Sequence, residues 1–143
     1  MDIRQITPAY AVSPQIDPED IAAIAAAGFK TIICNRPDAE NPPSHHANAM
    51  KVIAEAAGLV FVEIPVTHAG LNQQMVSDQR TAIDESSGPT LAYCASGTRS
   101  SIVWSLGQAG RLPTDEIIAA TTACGYDLRG LAPQIDALAT AKD

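Results

Sequence analysis

The sequence has few aromatic residues, few basic residues and no long apolar run. Phe, Trp and Tyr make up 4% of its 143 residues, whereas hydrophobic residues make up 46%, so we expect an aliphatic core with closely packed helices. The nine Lys and Arg residues are scattered, and the net charge is −7, which argues against nucleic-acid binding. No stretch approaches the roughly 18 to 20 apolar residues of a membrane span. These absences leave one globular domain, residues 1–143, as the expected organisation.

Cysteine is also scarce, and the number of cysteines is odd. Cys34, Cys94 and Cys124 are the three, and residues 1–20 have neither the basic start nor the apolar stretch of a secretory signal. Both features favour free thiols in a reducing compartment, so we expect a cytoplasmic protein. Cys34 ends a strand that is expected to lie near the strand before Cys94. Cys34 is therefore either a buried strand cysteine or the partner of Cys94 in a regulatory disulfide, and both alternatives stay open.

Metal-ligand spacing is missing too. His45 and His46 are adjacent, so a helix would point them in different directions, and neither has a spaced partner. We expect no metal site and no cofactor. The negative net charge repels anions, so an anionic substrate requires locally placed arginines.

Short apolar runs alternate with helix-like segments along the chain. The runs that end at Cys34, Ile64 and Tyr93 have the continuous apolar character of strands buried on both faces. Helix starts are predicted at Asp17-Pro18, Ser44, Asn72 and Pro113. This alternation predicts an α/β fold in which a mostly parallel central sheet of about 4–5 strands has helices on both faces.

Three polar loops follow the predicted central strands at their carboxyl ends. They are residues 35–43, 65–71 and 94–99. Ligands of such sheets bind outside the carboxyl ends of the strands. We therefore expect the chemistry to lie where these three loops meet.

The loop from Cys94 to Arg99 carries the strongest chemical signal. A thiol ends the apolar run, four small residues follow, and an arginine stands where a helix begins. The N–H groups and the dipole of that helix favour an anion and a thiolate in front of it. The arginine supplies a fork of donors suited to a tetrahedral oxyanion. The expected anion cradle consists of Ala95, Ser96, Gly97, Thr98 and Arg99.

Two further readings of this loop are open. Cys94 is either a nucleophile or a buried cysteine beside a structural arginine, although the second reading leaves the small residues unexplained. The Ser100 hydroxyl is either a donor to the Cys94 sulfur or an ordinary serine of the first helical turn.

The stretch YCASGTRSS resembles the active-site loops of protein tyrosine and dual-specificity phosphatases and of rhodanese sulfurtransferases. The chain as a whole is similar to a bacterial phosphatase-like family, the phosphatase-like domain of beta-lactamase hydrolase-like proteins. The matching stretches are VSPQ (12–15), GFKTIICNRPDAE (28–40), EIPV (63–66) and LAYCASGTRSS (91–101). This resemblance implies a single-domain tyrosine-phosphatase-like fold and a cysteine-dependent hydrolase.

Loop length departs from the tyrosine-phosphatase pattern. The resemblance to those phosphatases implies five residues between cysteine and arginine, but this chain has four, the spacing of many rhodaneses. A shorter loop makes a smaller cradle, which favours one extra sulfur over three phosphate oxygens. Members of the family are also found fused to a persulfide dioxygenase module, and that association points to sulfur metabolism.

A phosphatase also needs a general acid for the leaving oxygen. The resemblance to dual-specificity phosphatases places His68 where they have an aspartate, and histidine donates protons near neutral pH. Asp38 is the other candidate. The structural alternative for His68 is an exposed loop histidine. The structural alternative for Asp38 is a loop carboxylate paired with Arg36. Arg36 itself either binds substrate or ties two loops together.

Three hypotheses follow for a small anionic substrate, either a phosphate ester or a sulfane-sulfur donor. The first is a phosphatase-like hydrolase with a Cys94 nucleophile. The second is a rhodanese-type sulfurtransferase that carries a Cys94 persulfide. The third, a non-enzymatic anion-binding module, is disfavoured because the cysteine, arginine and serine are all intact.

Overall fold

A five-stranded sheet forms the centre of the computed structural model, which describes residues 1–67 and 70–141. The strands are β1 (Arg4–Thr7), β2 (Tyr10–Ser13), β3 (Thr31–Cys34), β4 (Val60–Glu63) and β5 (Thr90–Tyr93). Their order across the sheet is β1-β2-β5-β3-β4. Only the β1–β2 pair is antiparallel among these strands, and the other neighbours are parallel. The predicted mostly parallel α/β fold is confirmed.

Helices cover both faces of the sheet, as predicted. They are α1 (Ile21–Ala26), α2 (Ala47–Ala56), α3 (Gln73–Glu85), α4 (Thr98–Gly107), α5 (Thr114–Ala123) and α6 (Ala132–Ala141). One apolar cluster joins Ile21, Ile24 and Met50 of α1 and α2 to the sheet. A second cluster joins Val76, Trp104, Ile117 and Ile135 of α3 to α6 to the opposite face. None of the helices in the described part of the chain is long and apolar enough to cross a bilayer.

Strand β5 lies at the centre of the sheet and is buried along its whole length. It pairs with β2 on one side and with β3 on the other. Two buried faces favour apolar residues on both sides of a strand, which explains the apolar run Leu91 to Tyr93 before Cys94. The strand delivers Cys94 to the carboxyl edge of the sheet, directly before α4.

Cys34 lies beside β5, as expected, since it pairs in register with Tyr93. It shares an apolar cluster with Tyr93 on the α1–α2 face. Burial raises the pKa of the Cys34 thiol. All three cysteines are free, so the structure contains a buried strand cysteine at this position and no disulfide.

The start of α2 differs from the prediction. Ser44 was expected to cap this helix, but Pro43–His45 form a 3₁₀ turn and α2 begins at Ala47. The carboxylate of Asp38 takes the capping role, because its Oδ1 accepts a hydrogen bond from the Ala47 N–H at 2.8 Å. The cap predicted for α3 is confirmed: Asn72 Oδ1 accepts from the Met75 N–H at 2.9 Å.

Candidate active site

The three loops at the carboxyl edge of the sheet meet at Arg99. Its guanidinium donates to both carboxylate oxygens of Glu40, at 2.7 and 2.9 Å, and to the carbonyl of Val66 at 2.7 Å. Glu40 belongs to the loop after β3, and Val66 belongs to the loop after β4. The predicted meeting point of loops 35–43, 65–71 and 94–99 is thus a buried arginine with 6% of its surface exposed.

The contacts of Arg99 fix which of its donors stay available. A guanidinium has five N–H groups in one plane, and three of them are used for Glu40 and Val66. The other two, the Nε–H and the second Nη2 hydrogen, lie parallel on one side of the fork and have no oxygen acceptor among residues 1–67 and 70–141. Such a side-on pair matches two oxygens of a tetrahedral anion.

Charge pairing stabilises the ionised forms of Arg99 and Glu40. Hydrogen bonding to Glu40 raises the pKa of Arg99, burial opposes this effect, and the nearby Cys94 thiol adds to it. The Arg99 hydrogen bonds in turn lower the pKa of Glu40, with a smaller contribution from Arg36. Arg99 is therefore a fixed cation beside Cys94.

Cys94 is buried at the base of the loop, where its sulfur accepts a backbone hydrogen bond. The Gly97 N–H donates to Cys94 Sγ at 3.1 Å. Gly97 has φ +95°, a left-handed conformation that glycine adopts at little cost. This turn directs the peptide N–H inward at the sulfur and places α4 directly behind it.

Two amides of the loop have no hydrogen-bond partner in the described part of the chain. Among residues 1–67 and 70–141, the backbone N–H groups of Ala95 and Ser96 have no acceptor. The hydroxyls of Ser96 and Thr98 bond to each other at 2.9 Å on the exposed side. The loop therefore offers free donors next to the thiol, as an anion cradle requires.

Ser100 differs from the expected arrangement. A hydroxyl has one hydrogen to donate, and Ser100 directs it to Asn35 Oδ1 at 2.8 Å and not to the Cys94 sulfur. Asn35 in turn bonds to Gln79, whose amide also donates to Tyr10 Oη at 2.9 Å. The phenol of Tyr10 donates to the Ser100 carbonyl at 2.8 Å. Ser100 thus belongs to a buried polar network beneath the cradle.

Arg36 lies next to the Arg99–Glu40 pair and ties loops together. Its Nε donates to Glu40 at 3.3 Å, and its Nη1 donates to Gln15 at 3.2 Å. The structure therefore pairs Arg36 with Glu40 and not with Asp38, which was the expected alternative. Asp38 faces the start of α2 instead.

His68 lies outside the described residues, and its predicted role as general acid stays a prediction. In the described part of the chain, no group of three His, Cys, Asp or Glu side chains is arranged to hold a metal. His45 contacts Asp17 at 2.8 Å.

A cavity of about 380 Å³ adjoins Arg99 on the side of α3, α4 and α6. Its walls are mostly aliphatic and include Val76, Ile102 and Leu138. The same cavity reaches Val66 and Thr67 of the loop after β4. An apolar space beside a cationic site is suited to the uncharged part of an anionic ligand.

Two residues at this site were not found from the sequence. Glu40 stands four positions after Arg36 in a loop that was already assigned to the site, and this spacing was the available signal. Tyr126 follows α5, and its phenol donates to the Ser96 carbonyl at 3.0 Å. No sequence pattern links Tyr126 to the loop 30 residues earlier.

Comparison with known proteins places the chain in a family. The family model described as "Beta-lactamase hydrolase-like protein, phosphatase-like domain" matches residues 2–111. A beta-lactamase hydrolase-like protein from Xylella fastidiosa (strain Temecula1) is 32% identical over 130 residues, which are 90% of this chain and 30% of that protein. The chain therefore spans about a third of the length of this curated relative.

Solved structures show the same fold. A candidate phosphatase from Neisseria meningitidis Z2491 is 37% identical, with a TM-score of 0.81 over 96% of this chain and 99% of that one. Tk-PTP in its active form is 16% identical, with a TM-score of 0.77 over 97% of each chain, which adds a likeness in fold to a tyrosine phosphatase. The chain has a tyrosine-phosphatase-like fold and belongs to the family of beta-lactamase hydrolase-like protein, phosphatase-like domains.

Proposed function

We propose that this domain is a cysteine-dependent phosphatase-like hydrolase acting on a small phosphate ester. The observation that carries the proposal is the donor set around Cys94. The Gly97 N–H donates to the sulfur. Among the described residues, the Ala95 and Ser96 amides have no acceptor and the side-on pair of Arg99 has no oxygen acceptor. The family and the fold support the same reaction class.

In the first chemical step, the Cys94 thiolate attacks phosphorus. A sulfur–phosphorus bond forms, the bond from phosphorus to the leaving oxygen breaks, and that oxygen takes a proton from a general acid. The loop amides and Arg99 stabilise the charge on the phosphoryl oxygens. The Gly97 N–H donates to the Cys94 sulfur, and the positive start of α4 and Arg99 lie beside it, so negative charge that develops there meets donors and a cation.

In the second step, water attacks the phosphocysteine. The sulfur–phosphorus bond breaks, Cys94 leaves as the thiolate, and the proton of the water returns to the residue that acted as acid. His68 and Asp38 are the candidates for this residue. The contact between Asp38 and Ala47 favours His68, because a capping carboxylate is already engaged.

A rhodanese-type sulfurtransferase is the second candidate, favoured by the four-residue spacing between Cys94 and Arg99. Here Cys94 would take a sulfane sulfur as a persulfide and pass it to an acceptor thiol or cyanide. Two observations weigh against it: the Arg99 donors suit two oxygens, and the two solved structures compared above are a candidate phosphatase and Tk-PTP.

Mass spectrometry of Cys94 separates the two reactions. The wild-type protein is incubated with an aryl phosphate and, separately, with thiosulfate or glutathione persulfide, and the adduct on Cys94 is identified after acid quench. We expect phosphate release and a phosphocysteine. A persulfide with no phosphate turnover would reject the hydrolase.

Two cysteine variants complete this test. Cys94→Ser is expected to lower phosphate release at least about 10³-fold, since the hydroxyl is a far weaker nucleophile without an adjacent base. Cys124→Ser is the matched control, because Cys124 contacts the Gln5 carbonyl and not the cradle. Equal loss in both variants would show that Cys94 has no special role.

A further inference from the structure

We infer that Tyr126 is a positioning residue that fixes the Ser96–Gly97 peptide so that its N–H points at the Cys94 sulfur. This inference rests on the proposed function, in which Cys94 reacts as a thiolate. Tyr126 lies after α5, beyond the residues 2–111 that the family model matches.

Both polar groups of the Ser96–Gly97 peptide are hydrogen-bonded within the protein. The carbonyl of Ser96 accepts a hydrogen bond from Tyr126 Oη at 3.0 Å. The N–H of Gly97, the other half of the same peptide, donates to Cys94 Sγ at 3.1 Å. Because a peptide is planar and its C=O and N–H point in opposite directions, holding the carbonyl outward holds the N–H inward.

Glycine makes this peptide able to rotate. A reversal of the Ser96–Gly97 peptide changes φ of residue 97, and glycine accepts either sign of φ. Reversal would turn the Ser96 carbonyl toward the sulfur, where its negative oxygen would oppose a thiolate and an anion. The phenol of Tyr126 supplies the hydrogen bond that favours the productive orientation.

The phenol is itself held in place. Tyr126 is 6% exposed, and the Arg4 guanidinium lies over its ring at 5.2 Å from the centroid. Burial raises the pKa of Tyr126, so its hydroxyl keeps the proton that it donates. A Cβ at Gly97 would lie 2.2 Å from the phenol oxygen, so the close approach of the two residues requires glycine.

Few charged or titratable groups of the described residues lie near Cys94. Arg99, Tyr10 and Tyr126 interact with it electrostatically, and Glu40 and Arg4 contact Arg99 and Tyr126 in turn. Tyr126→Phe keeps the ring, its packing on Gly97 and its stacking with Arg4, and it removes only the donor to Ser96. Any change in Cys94 reactivity in this variant therefore reports on the peptide.

The test measures the rate of Cys94 alkylation by iodoacetamide against pH, read by mass spectrometry in the full chain. We expect Tyr126→Phe to move the half-maximal pH upward by about one unit and to lower kcat/KM for an aryl phosphate about five- to tenfold at neutral pH. Ser105→Ala is the matched control. It removes another buried hydroxyl that donates to a carbonyl, that of Ser101, and it should leave the pH profile unchanged.

The outcomes distinguish the possible failures. An unchanged pH profile in a folded Tyr126→Phe variant would overturn the positioning role. An equal shift in Ser105→Ala would also overturn it, because it would show a general effect of packing. If wild type hydrolyses no phosphate ester but the alkylation profile still shifts, the proposed hydrolase fails and the role of Tyr126 stands.

Discussion

Glu40 decides, at the level of single residues, how Arg99 is presented. The carboxylate takes both end-on donors of the guanidinium. The side-on pair has no oxygen acceptor among the described residues, and in the proposed function it binds the oxyanion. An arginine with this degree of burial requires a partner, because removing one partner of a buried ion pair leaves an uncompensated charge. Glu40 therefore stabilises both the fold and the site.

Glu40→Gln is expected to lower kcat/KM about tenfold and to reduce the free energy of unfolding by about 1 to 2 kcal/mol at neutral pH, a discounted value because the Glu40 side chain is 30% exposed. The pKa of Glu40 is lowered in the folded state from 4.5. Its contribution to stability is therefore present above its unfolded pKa and lost as pH falls through the folded pKa. Urea unfolding of both proteins over acidic and neutral pH measures this difference.

Glu55→Gln is the control for that measurement, since Glu55 is an exposed glutamate of α2. It should unfold like wild type at every pH. A constant difference between wild type and Glu40→Gln down to acid pH would contradict the charge-pairing account.

The sequence predicted only some of the residues that form the site. Cys94 and Arg99 were found because strand, small-residue loop and helix start are local patterns. Glu40, Tyr126 and the Ser100–Asn35 bond depend on contacts between segments far apart in sequence. No periodicity encodes such contacts.

At the scale of elements, Asp38 links the loop after β3 to α2. Its carboxylate bonds to the first amide of that helix, where the helix dipole also favours a negative charge. This contact gives Asp38 a structural role that is separate from its candidate role as general acid.

Asp38→Asn and Asp38→Ala separate these two roles. A capping role predicts that Asp38→Ala loses about 1 kcal/mol of stability, whereas Asp38→Asn, which keeps an acceptor oxygen, loses much less. We expect kcat for an aryl phosphate with a poor leaving group to stay within about twofold in Asp38→Asn and to fall in His68→Asn. Thermal unfolding and the dependence of kcat on the leaving group are the measurements. A large loss of kcat in Asp38→Asn alone would assign the acid to Asp38.

Element order was predictable to a greater degree than element starts. The strands and helices follow from apolar runs, capping residues and glycine stops, and their alternation specifies a parallel sheet. The predicted start of α2 was wrong because Asp38, nine residues before Ala47, supplies the cap from an adjacent turn. A capping residue so far from its helix leaves no local signal.

At the scale of the whole molecule, a buried polar network connects the sheet to the helices behind the cradle. It consists of Tyr10 on β2, Asn35 after β3, Gln79 on α3 and Ser100 on α4. Each of these four side chains is at most 1% exposed. Buried polar groups of this kind are stabilising only while every partner is present.

Gln79→Leu is therefore expected to lower the free energy of unfolding by about 2 to 4 kcal/mol, because Asn35 loses its amide partner and Tyr10 loses a donor. Gln74→Leu, at an exposed position of the same helix, should change stability by less than about 0.5 kcal/mol. Urea denaturation at neutral pH measures both. Similar stabilities for the two variants would show that the network contributes little.

The central position of β5 also has a consequence for the order of folding. Its parallel partners include β2, so Thr90 must find Tyr10 across most of the chain, and contacts at such separation form late because loop closure precedes them. Until β5 is enclosed, the Cys94 thiol stays open to oxidants in the nascent chain. Enclosure of β5 then buries this thiol, so the fold that assembles the site also shields its sulfur from bulk oxidants, and before enclosure only reducing surroundings protect the sulfur.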